Sequence, residues 1–290
     1  GLYQPSILNT RSLDWHTGVD LVTNDPILLP KSAISLDATK DCSLASLLLG
    51  ASSNGLASGN THCEALCHAL FELIERNSFY HWQTLSLAKQ EKSSLSLNSI
   101  ESGVAQQLLT CFYQANIRVR IFDASSAHQI PVFICIVRDT EILQGANQFM
   151  GKGAHFNKEI AIIRSITEAA QVRLTYISGS RDDVFPGFYK KRVLAQPALK
   201  KGHKDFGDIE QPLYQKDFQK NVVELTDLLY QQGFKQIAYL DLTRKDIGVS
   251  VVRAIIPTMK DGVYLKAKQP RKKRVLLGEE APLRRTQKGA

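Results

Sequence analysis

The sequence has no long hydrophobic run, and this absence excludes a membrane-spanning helix. Its longest apolar stretches, such as IPVFICIV at residues 130–137, are much shorter than the roughly 20 residues that cross a bilayer. The first ten residues, GLYQPSILNT, show no charged-then-apolar signal pattern. With 43% hydrophobic residues among 290, the chain can bury a sizeable core. We therefore expect a soluble, cytoplasmic protein without a membrane partner.

Cysteine is also sparse and is not arranged as a framework. The five cysteines are an odd number, and their spacing matches neither a set of disulfides nor a paired CxxC zinc site. Cys63 and Cys67 lie four residues apart, with His62 and His68 nearby, but a helix spreads these four side chains around its axis. We expect reduced thiols and no metal cluster at this position.

Acidic residues are scarce at the end of the chain. Residues 259–290 contain ten Lys or Arg against three Asp or Glu, so this segment carries +7 of the formal net charge of +8. Basic segments that are poor in aromatic residues are typically solvated extensions, and a phosphate or RNA contact is the alternative. We predict a folded domain over residues 1–257, a basic tail over 258–290, and no nucleic-acid partner.

The known phosphate-binding motifs GxxxxGK[ST] and GxGxxG are absent, which argues against a P-loop enzyme and a dinucleotide-binding domain. An acidic helix is present instead, after a stretch rich in Gly, Ser and Asn at residues 53–60. At about 100° per residue, four of its polar side chains share an arc of about 80°, opposite an apolar stripe. The four are Glu64, His68, Glu72 and Glu75, and the stripe is Leu66, Leu70, Leu73 and Ile74. A solvated acidic face is the alternative interpretation, but only Glu72 has a basic residue four positions on, Arg76.

The same pattern recurs 96 residues later, where GKGA at residues 151–154 precedes a second helix. Aligned pairs at this offset are Gly55 with Gly151, His68 with Arg164, Glu72 with Glu168, and Glu75 with Gln171. We predict that a Gly-rich loop leads into each helix and that the two helices face each other across an acidic cleft. Carboxylates are good Mg²⁺ ligands, and backbone N–H groups at helix starts bind phosphates, so this cleft fits a nucleoside triphosphate.

The remaining pattern alternates helices with strands. A helix over 102–114 precedes strands at 117–124 and 130–137, and a helix over 216–232 precedes strands at 236–242 and 249–257. We predict an α+β fold of repeated helix-plus-strand units packed in layers around the acidic nucleotide cleft.

At these residues the sequence resembles the YcaO family, ATP-dependent enzymes that activate peptide backbone amides. The matching motifs occur in order across residues 13–257: SNGLASGN before EALCHALFELIER, GKGA before ITEAAQVR, and then VVRAIIP. The resemblance implies a YcaO-like fold, with ATP and Mg²⁺ as cofactors. It implies nucleotide-binding residues Glu64, Glu72, Glu75, Arg76, Glu168, Gln171 and Arg253, of which the four glutamates are metal ligands or lie close to the metal. Two alternatives stay open: an ion pair between Arg76 and Glu72, and a surface charge at Arg253.

The resemblance also implies a reaction and its partners. A nucleophile attacks a backbone carbonyl of a ribosomally made peptide, ATP phosphorylates the resulting oxyanion, and phosphate leaves. A Cys, Ser or Thr side chain gives an azoline, external sulfide a thioamide, and an amine an amidine. Because the chain ends in APLRRTQKGA and not in PxPxP, we favour thioamide formation with a TfuA-like or peptide-recognition partner.

One family motif is missing, which leaves three hypotheses. No GKG-type sequence with its own ExxER helix precedes residue 37, so we expect a domain that is incomplete at its N-terminus or has lost part of the ATP site. The hypotheses are an ATP-dependent peptide-modifying enzyme, a degenerate YcaO-like protein that binds a peptide or partner without hydrolysing ATP, and an unrelated α/β protein with an acidic helix. A homodimer is also left open, and the sequence names no catalytic residue.

Overall fold

The fold is given by a computed structural model, which describes residues 14–36, 52–125, 129–139, 147–179 and 202–260. A five-stranded antiparallel sheet has the order β2-β1-β7-β8-β3. Its strands are β1 (Trp15–Asp20), β2 (Pro26–Pro30), β3 (Leu56–Gly59), β7 (Ala238–Asp241) and β8 (Ser250–Ile255). A second antiparallel sheet has the order β4-β5-β6. Its strands are β4 (Ile117–Asp123), β5 (Val132–Asp139) and β6 (Gln148–Ala154).

Helices of very different lengths accompany the two sheets. They are α1 (Lys31–Ile34), α2 (His62–Thr84), α3 (Leu87–Lys92), α4 (Gly103–Gln114), α5 (Lys158–Ser178) and α6 (Phe218–Gln231), with a 3₁₀ turn at Leu97–Ser99. The predicted α+β class is confirmed, because antiparallel sheets and helices form one mixed structure. Helix α4 begins directly after Ser102, whose hydroxyl accepts a hydrogen bond from the Ala105 N–H, as a helix cap does. None of the helices in the described ranges is both long and apolar enough to cross a membrane.

Helix α2 lies at the centre of the larger hydrophobic core. The predicted apolar stripe is buried: Leu66, Leu70, Leu73 and Ile74 are each at most 7% exposed. This core also includes Phe122 and Ile134, from one face of the three-stranded sheet, while Ile121 and Cys135, from the other face, belong to the core under α4 and α5. Successive side chains of a strand point to opposite faces. The three-stranded sheet therefore separates two cores and joins the helices on either side.

The prediction of two Gly-rich loops was wrong for the second segment and holds only in part for the first, where residues 54–55 form a turn with Gly55 at φ +77°. Strand β3 forms within the first segment and strand β6 contains the whole of the second. A Cβ atom on Gly151 would lie 2.2 Å from both the Ala169 N and the Ser165 O of α5, and one on Gly153 would lie 2.2 Å from the Ala161 O. Glycine is present here because the helix backbone lies directly on the strand, and not because the chain turns.

Several predictions from the sequence concern residues outside the described ranges. They include Cys42, the segment before residue 14, and the basic tail beyond residue 260. The other four cysteines, Cys63, Cys67, Cys111 and Cys135, are free thiols.

Candidate active site

The 96-residue repeat is a structural repeat as well as a sequence pattern. Helices α2 and α5 begin at equivalent residues, His62 and Lys158. Each is capped by the residue before it: the Thr61 side chain accepts from the Glu64 N–H, and the Asn157 side chain accepts from the N–H groups of Glu159 and Ile160. The two helices begin at equivalent positions of the repeat because a capping residue precedes each of them, 96 residues apart.

The aligned glutamates make the same kind of contact in the two copies. A carboxylate oxygen of Glu72 accepts a hydrogen bond from the Gly55 N–H at 3.1 Å, and one of Glu168 accepts from the Lys152 N–H at 2.7 Å. The aligned residues His68 and Arg164 also contact equivalent backbone oxygens, 96 residues apart. His68 Nδ1 lies 3.2 Å from the Ser58 O, and an Arg164 N–H donates to the Ala154 O at 3.3 Å. Both copies thus tie a polar helix face to the strand that precedes it.

These contacts lie at sheet edges, because no described strand pairs with the outer side of β3 or of β6. Strand β3 ends the five-stranded sheet, and β6 ends the three-stranded sheet. An edge strand presents backbone N–H groups without a neighbouring strand, and such groups need other acceptors. Glu72 and Glu168 supply acceptors beside their own edge strands, which holds each carboxylate in one orientation.

Lys152 joins the two copies and was not among the residues predicted from the sequence. Its Nζ lies 3.5 Å from a carboxylate oxygen of Glu75 on α2 and 3.9 Å from one of Glu168 on α5. The Lys152 side chain is 13% exposed and its ammonium lies 5.3 Å from the centre of the Phe79 ring. The sequence feature that could have indicated it is a lysine between two glycines. Because side chains alternate along a strand, Lys152 points away from the face on which α5 packs against Gly151 and Gly153.

Glu75 is the most perturbed carboxyl group of this cluster. Burial raises its pKa from 4.5 to about 7, and the Lys152 ammonium opposes that rise. Burial lowers the pKa of the Arg164 guanidinium, and the charge of Glu75 counters this effect. A carboxylate in a poorly solvated site beside two cations is available to bind a further cation or to exchange a proton near neutral pH.

This shift predicts how the stability of the ligand-free chain depends on pH. Between pH 4.5 and about 7 the folded chain binds a proton at Glu75 that the unfolded chain has lost, so stability falls as pH rises. The loss is nearly complete by about pH 8 and amounts to about 3 kcal/mol. We expect Glu75→Gln to raise the free energy of unfolding by this amount at pH 8 and to leave it unchanged near pH 4, measured by urea denaturation in EDTA. Exposed Glu101 provides the control, since Glu101→Gln should be neutral at both pH values; a Glu75→Gln effect independent of pH would contradict the prediction.

The two arginines have different environments. Arg76 donates to a carboxylate oxygen of Glu72 at 3.1 Å, so the ion pair considered as its alternative role is present. Arg253 lies on β8 and is 5% exposed, so the interpretation as a surface charge was wrong. One of its N–H groups donates to the Ala33 O at 3.2 Å, while its Nε and Nη1 have no hydrogen-bond partner within the described ranges. The Glu72 charge counters the fall in the Arg253 pKa that burial causes.

Two predicted site residues, Glu64 and Gln171, make no described hydrogen bond or ion pair with Glu72, Glu75, Glu168 or Lys152. The Glu64 carboxylate accepts hydrogen bonds from the backbone N–H of Asn60 at 2.9 Å and from its side-chain amide, which completes a capping arrangement with Thr61. These bonds, above all that from the Asn60 N–H, hold the pKa of Glu64 below its usual value. Gln171 is exposed on α5. Within the ranges that the structure describes, no three His, Cys, Asp or Glu side chains are placed to hold a metal ion, and the four metal-ligand assignments stay predictions.

The chain matches proteins of known sequence over most of its length. An uncharacterized protein from Methanothermobacter thermautotrophicus is 28% identical over 255 residues, covering 84% of this chain and 65% of the relative. An uncharacterized protein in the tfuA 3′ region of Rhizobium leguminosarum bv. trifolii is 28% identical over 276 residues, covering 90% of this chain and 65% of the relative. The chain thus spans slightly less than two thirds of the length of these relatives.

A solved structure and a family description agree with these matches. YcaO from Methanopyrus kandleri, bound with AMPPCP and Mg²⁺, superposes with a TM-score of 0.70 at 21% identity, covering 93% of this chain and 71% of that one. This likeness establishes the fold. Residues 3–260 match the family described as YcaO cyclodehydratase, ATP- and Mg²⁺-binding. The chain belongs to the YcaO family.

Proposed function

We propose that the protein activates a backbone amide of a peptide by ATP-dependent phosphorylation of the amide oxygen. The observation that carries the proposal is Arg253, a buried arginine beside Glu72 with two nitrogen atoms that have no hydrogen-bond partner in the described ranges. Buried guanidinium groups are normally hydrogen-bonded, because an unmade bond there is costly. Phosphate oxygens match the planar set of donors on an arginine and can accept from it in pairs.

The donor set fits ATP and Mg²⁺. Glu72, Glu75 and Glu168 would hold the cation or the water around it, since carboxylate oxygen is the ligand that Mg²⁺ prefers. Arg253 would donate hydrogen bonds to phosphate oxygens. The Nε of Arg76, which also has no partner in the described ranges, would do the same. Bound ATP supplies the phosphoryl group that converts an amide oxygen, a poor leaving group, into phosphate.

The residues of the chain would support this chemistry by position and charge. Backbone N–H groups orient Glu72 and Glu168 before any ligand arrives, so little reorganisation accompanies binding. Lys152 offsets the repulsion between Glu75 and Glu168 across the two helices. Because Glu75 must lose its proton to bind a cation, we expect Mg²⁺-dependent ATP affinity to rise as pH increases through about 7.

We also propose that the product is a thioamide, made with a TfuA-like partner and external sulfide as the nucleophile. The position of one relative in a tfuA 3′ region supports this choice over an azoline. A second candidate is binding of a peptide or partner without ATP hydrolysis. It is favoured by the observation that the described carboxylates form no three-ligand metal group.

Calorimetric titration of the chain with ATP, with and without Mg²⁺, tests the proposal. We expect saturable binding that requires Mg²⁺, and a loss of affinity of at least about tenfold in Glu72→Gln. Glutamine is nearly isosteric with glutamate and keeps an oxygen for the Gly55 N–H, so the fold should be retained. Glu101→Gln, at an exposed glutamate, is the matched control. Absence of Mg²⁺-dependent binding in the folded chain would exclude ATP-dependent activation by this chain alone and would favour the second candidate.

A further inference from the structure

The three-stranded sheet carries two arginines directly opposite each other. Arg118 on β4 is paired in register with Arg138 on β5, so both side chains project from the same face of the sheet. Like charges at directly opposite positions of an antiparallel pair destabilise it. Arg118 is exposed and Arg138 is partly exposed. The fold gains nothing from this pair by itself.

Other arginines of the same region are paired with acidic residues, whereas Arg118 and Arg138 have no such partner among the described residues. Arg120 lies 2.6 Å from a Glu91 carboxylate oxygen, and Arg173 lies 2.5 Å from one of Asp139. Arg118 and Arg138 make no ion pair or side-chain hydrogen bond with any residue that the structure describes. Two adjacent unpaired cations form a binding position for a ligand with negative charge.

The same face continues to the candidate active site. On this face, the pair of cross-strand neighbours that follows Arg138 and Gln148 is Ile136 and Met150, and the pair after that is Ile134 and Lys152. Ile136 and Met150 are partly buried against the core that contains α2. At about 3.3 Å per residue, the path along β6 from Gln148 to Lys152 measures about 13 Å. An extended peptide covers this distance with about four residues.

We propose that this basic face, defined by Arg118, Arg138, Ile136 and Met150, binds an acidic segment of the peptide substrate. The proposal rests on the proposed function, because it places the amide to be activated near Lys152 and an acidic residue about four positions away. An acidic side chain would meet the two arginines, and apolar side chains would pack on Ile136 and Met150. A bound carboxylate would reduce the repulsion between Arg118 and Arg138. This reduction adds to the affinity for an anionic segment and favours it over a neutral one.

A peptide fits this surface better than RNA does. Nucleic-acid affinity comes from several phosphate contacts, whereas this face offers two unpaired cations followed by apolar side chains. The spacing between the arginines and Lys152 also corresponds to a few extended residues. RNA binding is therefore an outcome that the experiment must separate from peptide binding.

The test uses two fluorescein-labelled 12-residue peptides that differ only at two positions, Glu in one and Gln in the other. The variant is Arg118→Gln with Arg138→Gln, and the control, Lys216→Gln with Lys220→Gln, removes the same charge from exposed positions at and before α6. We expect the arginine variant to bind the Glu peptide at least about fivefold more weakly, and the control to bind it like the unmodified chain. The difference in affinity between the unmodified chain and the arginine variant should be smaller in 0.5 M NaCl. Salt screens the attraction between charges, and the screening length falls from about 10 Å at ~0.1 M to about 3 Å at ~1 M. The melting temperature of the arginine variant should be unchanged or higher, since a repulsive pair is removed.

Three outcomes would overturn the inference. They are equal affinity for the Glu and Gln peptides, an equal loss of affinity in the arginine variant and in the lysine control, and tighter binding of a 12-nucleotide oligouridine than of the Glu peptide through the same arginines. Failure of the proposed function is distinguishable. Arginine-dependent selection of the Glu peptide by a chain that does not bind ATP would support the basic face and exclude amide activation by this chain alone. ATP binding without selection between the peptides would overturn only the basic face.

Discussion

An Arg253→Gln variant is expected to bind ATP at least about 100-fold more weakly than the unmodified chain. Two charge-assisted hydrogen bonds to phosphate, at roughly 1.5–3 kcal/mol each, account for a loss of this size. The same variant should unfold at an equal or higher temperature. Arg253 is buried with two nitrogen atoms that find no hydrogen-bond partner among the described residues, and removing that unfavourable burial offsets the lost bond to the Ala33 O.

Two further variants make this expectation specific. Arg244→Gln removes an exposed arginine from the connection between β7 and β8, where its partner is Asp246, and should leave ATP affinity unchanged. Arg253→Lys keeps the charge but not the planar set of donors, so it should recover only part of the affinity. Calorimetry and thermal melting measure both quantities. A large fall in melting temperature for Arg253→Gln, with ATP affinity intact, would mean that Arg253 has a structural role only.

A Gly151→Ala variant is expected to lose about 3 kcal/mol of unfolding free energy or more. The new methyl carbon would lie 2.2 Å from the Ala169 N and from the Ser165 O, and both are backbone atoms of α5 that no side-chain rotation can move. The helix must shift away from β6, and overpacking of this kind costs about 1–3 kcal/mol or more. Glu168 lies on the same helix, so its bond to the Lys152 N–H should weaken and ATP affinity should fall with stability.

Gly103 provides the matched control for this substitution. It is the first residue of α4, and a Cβ atom there would meet nothing within 4 Å. We expect Gly103→Ala to be neutral or to stabilise the chain by up to about 1 kcal/mol, because alanine has the higher helix propensity. Urea denaturation followed by circular dichroism compares the two variants. Equal stability of Gly151→Ala and Gly103→Ala would contradict the close packing of α5 on β6.

Strands β3 and β6 show why part of the prediction failed. Local sequence shows glycine in a short segment, and in isolation such a segment is typical of a loop. Whether glycine serves a turn or a close contact depends on an element that lies elsewhere in the chain. Gly151 lies against Ser165 and Ala169, which follow it by 14 and 18 positions in the sequence. No local sequence pattern predicts a contact over that separation.

Lys152 and Arg253 illustrate the same limit in the site. Strand alternation predicts that Lys152 points away from Gly151 and Gly153, but its approach to Glu75 depends on how α2 packs against the other sheet face. Arg253 was predicted to lie in a strand and does so, yet its burial depends on residues far from it in sequence, including Ala33. Glu64 shares the helix face of Glu72 and Glu75, but a local capping arrangement occupies its carboxylate.

The sequence by itself determined the features that depend on local spacing: the buried stripe of α2, the recurrence of its pattern in α5, and the α+β pattern. These follow from side-chain spacing within one helix or strand, which the chain carries locally. Only the tertiary structure decided that Gly151 and Gly153 lie under a helix, that Lys152 joins two glutamates, that Arg253 is buried, and that Arg118 faces Arg138. Each of these depends on contacts between separate elements, and such contacts are set by packing and strand register, which local periodicity does not specify.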